Sequence, residues 1–350
     1  MRVAIAMSGG VDSSVAAALL KEAGHDVFGM TMRIIPSGND STQAEIDAAN
    51  VAQQIGIPHH VEDFRHIFAR QIIDYFCREY HGGRTPNPCI LCNKYIKFGI
   101  LMEKALKMGA EFLATGHYAR IEKDNNTERY ILKKGQDRKK DQSYFLCQLK
   151  QEQLRHVLYP IGNLTKDEVR KIAAELGLSS ASRPESQEIC FIPDNDHARF
   201  LEEYTPQAAR PGPILNEQGK TLGQHQGIMS YTIGQRKGLQ IAAEEPLYVT
   251  AIEPDQNAVI VGTREQTYGK EMVAGELNWI AMPALDRPIK VKARVRYRHP
   301  EAEATVIPQE NNIVYIKFAE PQMAITPGQA VVFYDDDTVI GGGTIIRQGR

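Results

Sequence analysis

The sequence predicts an α/β domain with a mostly parallel sheet, then a small mixed or β-rich domain, then a C-terminal β-barrel. Three observations predict this. In the first half, short apolar runs alternate with stretches of helical periodicity, the pattern of a parallel sheet covered on both faces, Rossmann-like in plan. Near residue 196 that alternation fades and Gly and Pro recur, as in Arg210-Pro211-Gly212-Pro213. From about residue 270 the chain reads as short strands parted by turn signals, Asn311-Asn312, Pro327-Gly328 and Gly341 to Gly343, as in a small barrel or sandwich. The expected divisions are 1–195, 196–269 and 270–350, and at roughly 150 residues per domain a chain of 350 residues suits two or three.

The elements follow in order. Val3 to Met7 reads as a buried strand, Ser13 to Ala23 as a helix stopped by Gly24, and Val27 to Met32 as a second strand. Thr42 and Glu45 have capping-box spacing. Ala48, Val51, Ala52 and Ile55 then fall on one helical face, and Gly56 and Pro58 close the helix. Lys94 to Met108 reads as a helix that begins near Asn93, followed by a strand at Glu111 to Thr115. Thr165 and Glu168 repeat the capping box before a helix that Gly177 ends.

Composition narrows the function. The net charge of -2 supplies no global field for nucleic acid, so RNA binding would rest on local patches. Five cysteines, Cys77, Cys89, Cys92, Cys147 and Cys190, make an odd count in a long chain, which argues against a secreted disulfide scaffold. The apolar run in MRVAIAMSGG is too short for a signal peptide, and no stretch approaches the roughly 18 apolar residues of a membrane span. A reducing, cytoplasmic setting is expected. Free thiols there point to redox chemistry, metal binding or nucleophiles.

Between the first strand and first helix lies Ala6-Met7-Ser8-Gly9-Gly10-Val11-Asp12-Ser13-Ser14. Two glycines let backbone N–H groups turn inward as an anion nest, Ser8, Ser13 and Ser14 add hydroxyls, and the helix start adds its positive end. A Walker loop would need Gly-Lys-Ser/Thr, which is absent, so Asp12 becomes the candidate for magnesium or for orienting a nucleotide. Two glycines alone would fit any strand–helix turn. The whole string SGGVDS after a buried strand is more specific, and it resembles the loop of the PP-loop ATP pyrophosphatase superfamily. That resemblance implies cleavage of ATP to AMP and pyrophosphate through an adenylated substrate.

Cys89-Ile90-Leu91-Cys92 is a CxxC flanked by Thr85-Pro86-Asn87-Pro88 and Asn93-Lys94. As half of a zinc site it lacks a second CxxC or HxxxH. A helix starting near Asn93 would set Cys92 at its positive end and favour the thiolate. Cys190 in Ser186-Gln187-Glu188-Ile189-Cys190-Phe191 reads equally well as a small apolar strand residue. Six strings then occur in one order: the phosphate loop, Asn-Pro-x-x-x-Cys-Asn, Ala114-Thr115-Gly116-His117-Tyr118, Lys140-Asp141-Gln142-Ser143-Tyr144-Phe145, Ile189-Cys190-Phe191-Ile192 and Gly234-Gln235-Arg236-Lys237-Gly238-Leu239. That order, spanning essentially the whole chain, resembles the tRNA-specific 2-thiouridylases.

The resemblance implies a substrate, the wobble uridine (U34) of glutamate, glutamine and lysine tRNAs, and a route. The C2 oxygen of uracil is a poor leaving group, AMP is a good one, and a sulfur nucleophile can then displace it. Cys190 would carry sulfur as a persulfide and Cys92 would be the cysteine that attacks it, leaving a Cys92–Cys190 disulfide. Ala6, Met7, Ser8, Gly9, Gly10, Val11, Asp12, Ser13, Met32 and Gly116 match ATP-binding positions. Asn87, Pro88 and Cys89 match the segment that meets the target base, which must leave its stack. His117, the run Lys140, Asp141 and Gln142, and Arg296, Tyr297 and Gln329 match tRNA contacts. A cysteine desulfurase or sulfur relay protein would be the donor partner. Two departures stand out. Cys89 replaces an Asp found in many relatives, and Arg33-Ile34-Ile35 follows Met32 where a Lys-Asn-Trp type string is common. With Cys89 present, Cys89, Cys92 and Cys190 form a rival set of ligands for a [4Fe-4S] cluster, with the fourth iron open for sulfide.

For RNA itself, Ile289 to Arg298 alternates, placing Lys290, Lys292, Arg294, Arg296 and Arg298 in a row on one strand face. Such a row is usually a solvated face, but phosphates would offset its repulsion. Lys133, Lys134, Arg138, Lys139 and Lys140 form a second cluster. Two other readings remain. A PP-loop synthetase of the amidotransferase type, adenylating a small molecule, needs neither Cys92 nor Cys190. A non-enzymatic RNA-binding or metal-storing module needs no phosphate loop.

Overall fold

The computed structural model describes residues 1–35, 42–181, 189–206 and 209–349. Ser186 to Glu188, upstream of Cys190, lie outside the described residues. The N-terminal sheet contains β1 (Arg2–Ala6), β2 (Asp26–Arg33), β3 (His59–Asp63), β4 (Phe112–Thr115) and, beyond a hairpin of β5 (Ala119–Lys123) and β6 (Tyr130–Lys134), β7 (Val157–Leu158). Its order is β3-β2-β1-β4-β7 and every pair is parallel. Alternate residues of β1 serve two cores. Val3 and Ile5 pack with Val15 and Ala16 of α1 (Val11–Glu22), whereas Ala4 packs with Phe28 and Phe76 on the other face. Burial on both sides explains why this strand reads as a continuous apolar run.

The helix signals are realised with one change. Thr42 caps α2 (Gln43–Ile55) by accepting from the Glu45 amide at 3.3 Å, and the Glu45 carboxylate interacts with Thr42 in return while binding Arg33 of β2 at 2.6 Å. The Thr165–Glu168 box is complete, with the Thr165 amide donating to Glu168 at 2.7 Å and the Glu168 amide to Thr165 at 3.3 Å. The cysteine helix starts earlier than expected. Asn87 is its N-cap, accepting from the Ile90 amide, and Pro88 is its first residue, the position where a missing N–H costs nothing. After one turn, Cys92–Leu101 is π-helical before α-helical geometry resumes at Met102–Lys107.

Periodicity does not stop at 196. A helix, His197–Tyr204, packs Phe200 onto Phe76 and Phe191 of the first domain. The central sheet then forms from β8 (Gly212–Asn216), β9 (Thr221–His225), β10 (Tyr248–Glu253) and β11 (Ala258–Gly262), ordered β10-β11-β8-β9 around Ile214, Val249, Val259 and Val261. The C-terminal barrel contains β12 (Tyr268–Trp279), β13 (Ile289–Arg294), β14 (Ala302–Gln309), β15 (Ile313–Met323), β16 (Ala330–Asp335) and β17 (Thr338–Gln348). These run β12-β15-β14-β13-β16-β17, and β12 pairs with β17 to close the ring, removing exposed edges. Asn311 and Asn312 both adopt positive φ in the β14–β15 turn, as a tight hairpin requires.

The first domain and the barrel are not independent bodies. The β5–β6 hairpin joins the barrel sheet through Lys133 opposite Thr338. Ile280, Val332, Tyr334 and Val339 share a core with Phe28, Phe76 and Leu113.

Candidate active site

The phosphate loop lies at the end of β1, where the strand order reverses between β1 and β4, the crevice in which open α/β sheets bind ligands. Gly9 takes φ +71°, and Gly10 caps α1 with extended backbone. The hydroxyls do not all face outward as the sequence suggested. Ser13 and Ser14 both donate to the Gly10 carbonyl, at 3.1 and 2.9 Å, and Ser13 also accepts from the Ser8 amide. Ser8 alone of the three is exposed. Gly116, just past β4, closes the cradle; a Cβ there would stand 2.6 Å from the Ser13 nitrogen. Met32 is half-buried at the end of β2.

Asp12 is not free for a metal. Both its oxygens accept from Lys166 at 2.8 Å, and one accepts from the Tyr118 hydroxyl at 2.7 Å. Lys166 is the first residue of its helix, an unfavourable place for a cation, and its side chain is 5% exposed. Asp12 supplies the compensating charge and ties α1 to that helix. These partners do not fit a magnesium ligand, and no magnesium step is derived. Lys166 and Tyr118 were missed by sequence reasoning; a lysine immediately after a cap threonine was the available signal.

The three thiols gather at one place. Cys92 is half-buried, and Cys89 and Cys190 keep accessible surface, yet all three are surrounded by enough protein for desolvation to dominate. Burial pushes the Cys92 thiol up to about 11, and burial together with the charges of Cys92 and Cys89 pushes the Cys190 thiol up to about 12. The expected thiolate-favouring helix end is therefore corrected: the helix begins at Pro88, so Cys92 lies past the first turn, where the dipole has faded. Among the described residues no three Cys, His, Asp or Glu side chains are placed to hold a metal ion. The three cysteines thus do not fit a cluster ligand set here, and no step is routed through one.

Lys97 is the cation of this pocket. Its ammonium donates to Asn93 Oδ1 at 3.0 Å and lies 3.4 Å from His117 Nε2. His117 Nδ1 lies 2.7 Å from the Thr115 hydroxyl, and its ring contacts Phe98 and Tyr159. Burial, then Lys97, holds the imidazole well below its usual range, so it is neutral. Adjacent residues therefore join two sites: Gly116 touches the phosphate loop, and His117 meets the lysine that acts on the thiols.

The Asn87-Pro88-Cys89 segment is braced by the barrel. Gln329 Nε2 donates to the Thr85 carbonyl at 3.0 Å, and the Thr85 amide donates to the Pro327 carbonyl at 2.9 Å. Gly328 has φ +89°, and a Cβ there would stand 2.9 Å from the Thr85 nitrogen. The turn signal Pro327-Gly328 is thus a close approach between domains.

Comparison with known proteins follows the same three parts. Residues 1–194 match the tRNA methyl transferase HUP domain, 198–263 the tRNA methyl transferase PRC-barrel domain, and 269–345 the aminomethyltransferase beta-barrel domain. The tRNA-specific 2-thiouridylase MnmA of Acetivibrio thermocellus is 49% identical over 98% of this chain and 99% of its own. The chain belongs to the tRNA-specific 2-thiouridylase family. The MnmA of Symbiobacterium thermophilum is 52% identical, covering 99% of this chain and 92% of its own, and MnmA 1 of Caldanaerobacter subterraneus is 50% identical over 100% and 99%.

Within this family member, the residues matched to RNA contacts lie mostly in structural roles. Asp141 is buried, accepting from the Gly135 and Ser143 amides at 3.1 Å, and Gln142 accepts from the Tyr118 amide at 3.0 Å. Lys140 is half-buried beside them, and Tyr297 packs 4.4 Å from the Phe145 ring. The five-cation row is corrected. β13 ends at Arg294, which pairs with Glu301 at 2.7 Å, and Arg296 turns inward to bond the Ile233 carbonyl at 2.8 Å and the Thr326 hydroxyl. In the second cluster Lys134 is buried against Glu301, and Lys133 and Arg138 pair with Glu122 and Asp337. Lys139 remains exposed. Alternation along a strand could not show these carboxylates, because they lie on other segments, from 7 residues away for Arg294 and Glu301 to 199 for Arg138 and Asp337.

Proposed function

We propose that this protein uses ATP to exchange the C2 oxygen of the wobble uridine (U34) of glutamate, glutamine and lysine tRNAs for sulfur. One observation carries the reading: Gly116 and His117, neighbours in the chain, connect the phosphate cradle to the pocket of Cys89, Cys92 and Cys190. The proposed reaction requires one flipped nucleobase to meet both. Membership of the thiouridylase family supports the same conclusion. Among the described residues no helix is long and apolar enough to cross a membrane.

The steps balance as follows. The uracil C2 oxygen attacks the α-phosphorus of ATP, pyrophosphate leaves, and the oxygen now carries AMP. A cysteine desulfurase or sulfur relay protein loads Cys190 as a persulfide. The Cys92 thiolate attacks the inner sulfur, forming the Cys92–Cys190 disulfide and releasing hydrosulfide with the electron pair of the broken S–S bond. Hydrosulfide adds to C2 and loses its proton, AMP departs, and a dithiol reductant restores both cysteines. The loop's inward N–H groups orient the phosphates, and the segment from Asn87 to Cys89 faces the base. Without a cluster ligand set, the persulfide route is the better supported of the two sulfur carriers.

The test is nucleoside mass spectrometry on tRNA treated with the Cys92→Ser and Cys190→Ser variants. Both are expected to bind tRNA and release pyrophosphate, yet form no 2-thiouridine. Thiolation in either variant, or stoichiometric iron in anaerobically purified protein, would overturn the persulfide assignment. Unimpaired thiolation in the double variant would point to a different adenylating enzyme.

A further inference from the structure

Lys97 presents an imbalance that the reaction sequence leaves unexplained. It is half-buried, and its hydrogen-bond partners, Asn93 and neutral His117, carry no negative charge. No carboxylate pairs with it among the described residues, although other partly buried cations here have one, Arg33 with Glu45 and Arg120 with Asp337 among them. A partly desolvated cation with only neutral partners is costly unless an anion arrives during the reaction.

The backbone shows where that anion would be. Residues five apart on an α-helix point to different sides, but a π-helix bonds residue i to i+5 and brings them close to one face. Cys92–Leu101 is π-helical, so Cys92 and Lys97 are set near one face of the same helix. Asn93 is itself held, its amide donating to the Phe145 carbonyl at 3.1 Å, and Asn93 in turn accepts from Lys97. The ammonium is thereby tethered to the helix that carries Cys92; its positive charge is the largest effect after burial on Cys89 and Cys92, and a smaller one on Cys190.

We propose that Lys97 is the counter-ion for the sulfur anions of this site, the Cys92 thiolate that attacks and the persulfide on Cys190. The role rests on the sulfur-transfer reading above. The charged and titratable groups bearing on Cys92 are Lys97 and Cys89, with Cys190 coupled to both thiols and His117 neutral beside the lysine.

The test needs neither tRNA nor ATP. Alkylation of Cys92 by iodoacetamide is followed against pH, with the site resolved by fragment-ion mass spectrometry. Lys97→Met is expected to slow alkylation about tenfold at fixed pH by moving the thiol midpoint upward, the scale for losing one nearby opposite charge. Lys97→Arg should restore most of the rate. Lys94→Met, on the same helix but bonded to Gln148, should change nothing. If Lys97→Met does not fold, Lys97→Gln carries the same expectation. An unmoved midpoint in a folded variant, or an equal shift from Lys94→Met, would overturn the proposal. Loss of the midpoint shift while wild-type protein still thiolates tRNA refutes the role of Lys97 alone; a normal shift in a protein that never thiolates tRNA refutes the proposed reaction instead.

Discussion

The side-chain amide of Gln329, in the C-terminal third of the chain, donates to the carbonyl of Thr85, two residues before Asn87-Pro88-Cys89, the segment proposed to face the target base, at 3.0 Å. A barrel residue thus sets the position of a loop in the ATP-binding domain. The neighbouring bond from Thr85 to Pro327 and the close approach of Gly328 make this a fixed joint. The barrel's contribution to the site is positional, in addition to any surface it offers RNA.

Gln329→Ala removes one such bond and should cost only about 1 kcal/mol of stability. Displacing the base-facing segment is expected to lower kcat/KM for thiolation by about tenfold to a hundredfold. Pyrophosphate exchange and thermal melting, measured beside thiolation, should change much less.

Gly116→Ala places a methyl group 2.6 Å from the Ser13 nitrogen, against backbone that cannot yield cheaply. We expect ATP affinity to fall at least about tenfold and stability to drop by about 1–3 kcal/mol, the usual cost of overpacking. Calorimetric titration with ATP and denaturant unfolding check both figures.

Lys166→Met strands the Asp12 carboxylate. A fully buried broken pair costs about 3–5 kcal/mol. Because the Asp12 side chain is 28% exposed, a loss of about 2 kcal/mol is expected. The double variant Asp12→Asn, Lys166→Met should recover part of that loss, since contacting residues are not additive. Urea unfolding of the four proteins closes the cycle.

Alkaline pH should destabilise the fold. The Cys92 and Cys190 thiols are held up to about 11 and about 12 by burial, against 9.0 when unperturbed. Folded-state values above the unfolded one give a contribution that is whole below pH 9.0 and is lost as pH rises toward about 11 and 12. Cys92→Ser with Cys190→Ser should flatten the decline of the melting temperature above pH 9 relative to wild type. An unchanged decline would assign it to other groups.

The local signals in this sequence were strong wherever a residue acts on its own backbone. The glycines of the phosphate loop, the Thr165–Glu168 box and the Asn311-Asn312 turn depend on torsion angles and bonds within a few residues, so their meaning travels with the string. Motif order also revealed the family. The π-helical stretch carried no periodic signature, and Asn87-Pro88 was not recognised as a helix start.

Side-chain charge was a different matter. The sequence alone determined a parallel-sheet domain with a phosphate loop, a barrel after it, and cysteines suited to sulfur chemistry. Only the tertiary structure decided which cations are paired: Arg294 with Glu301, Lys166 with Asp12, Arg296 turned inward, and Lys97 bonded to Asn93 and His117. The physical reason is range. Backbone preferences act over a few residues, whereas the free energy of a charge depends on burial and on partners that, for Lys166 and Asp12, lie 154 residues apart in the chain.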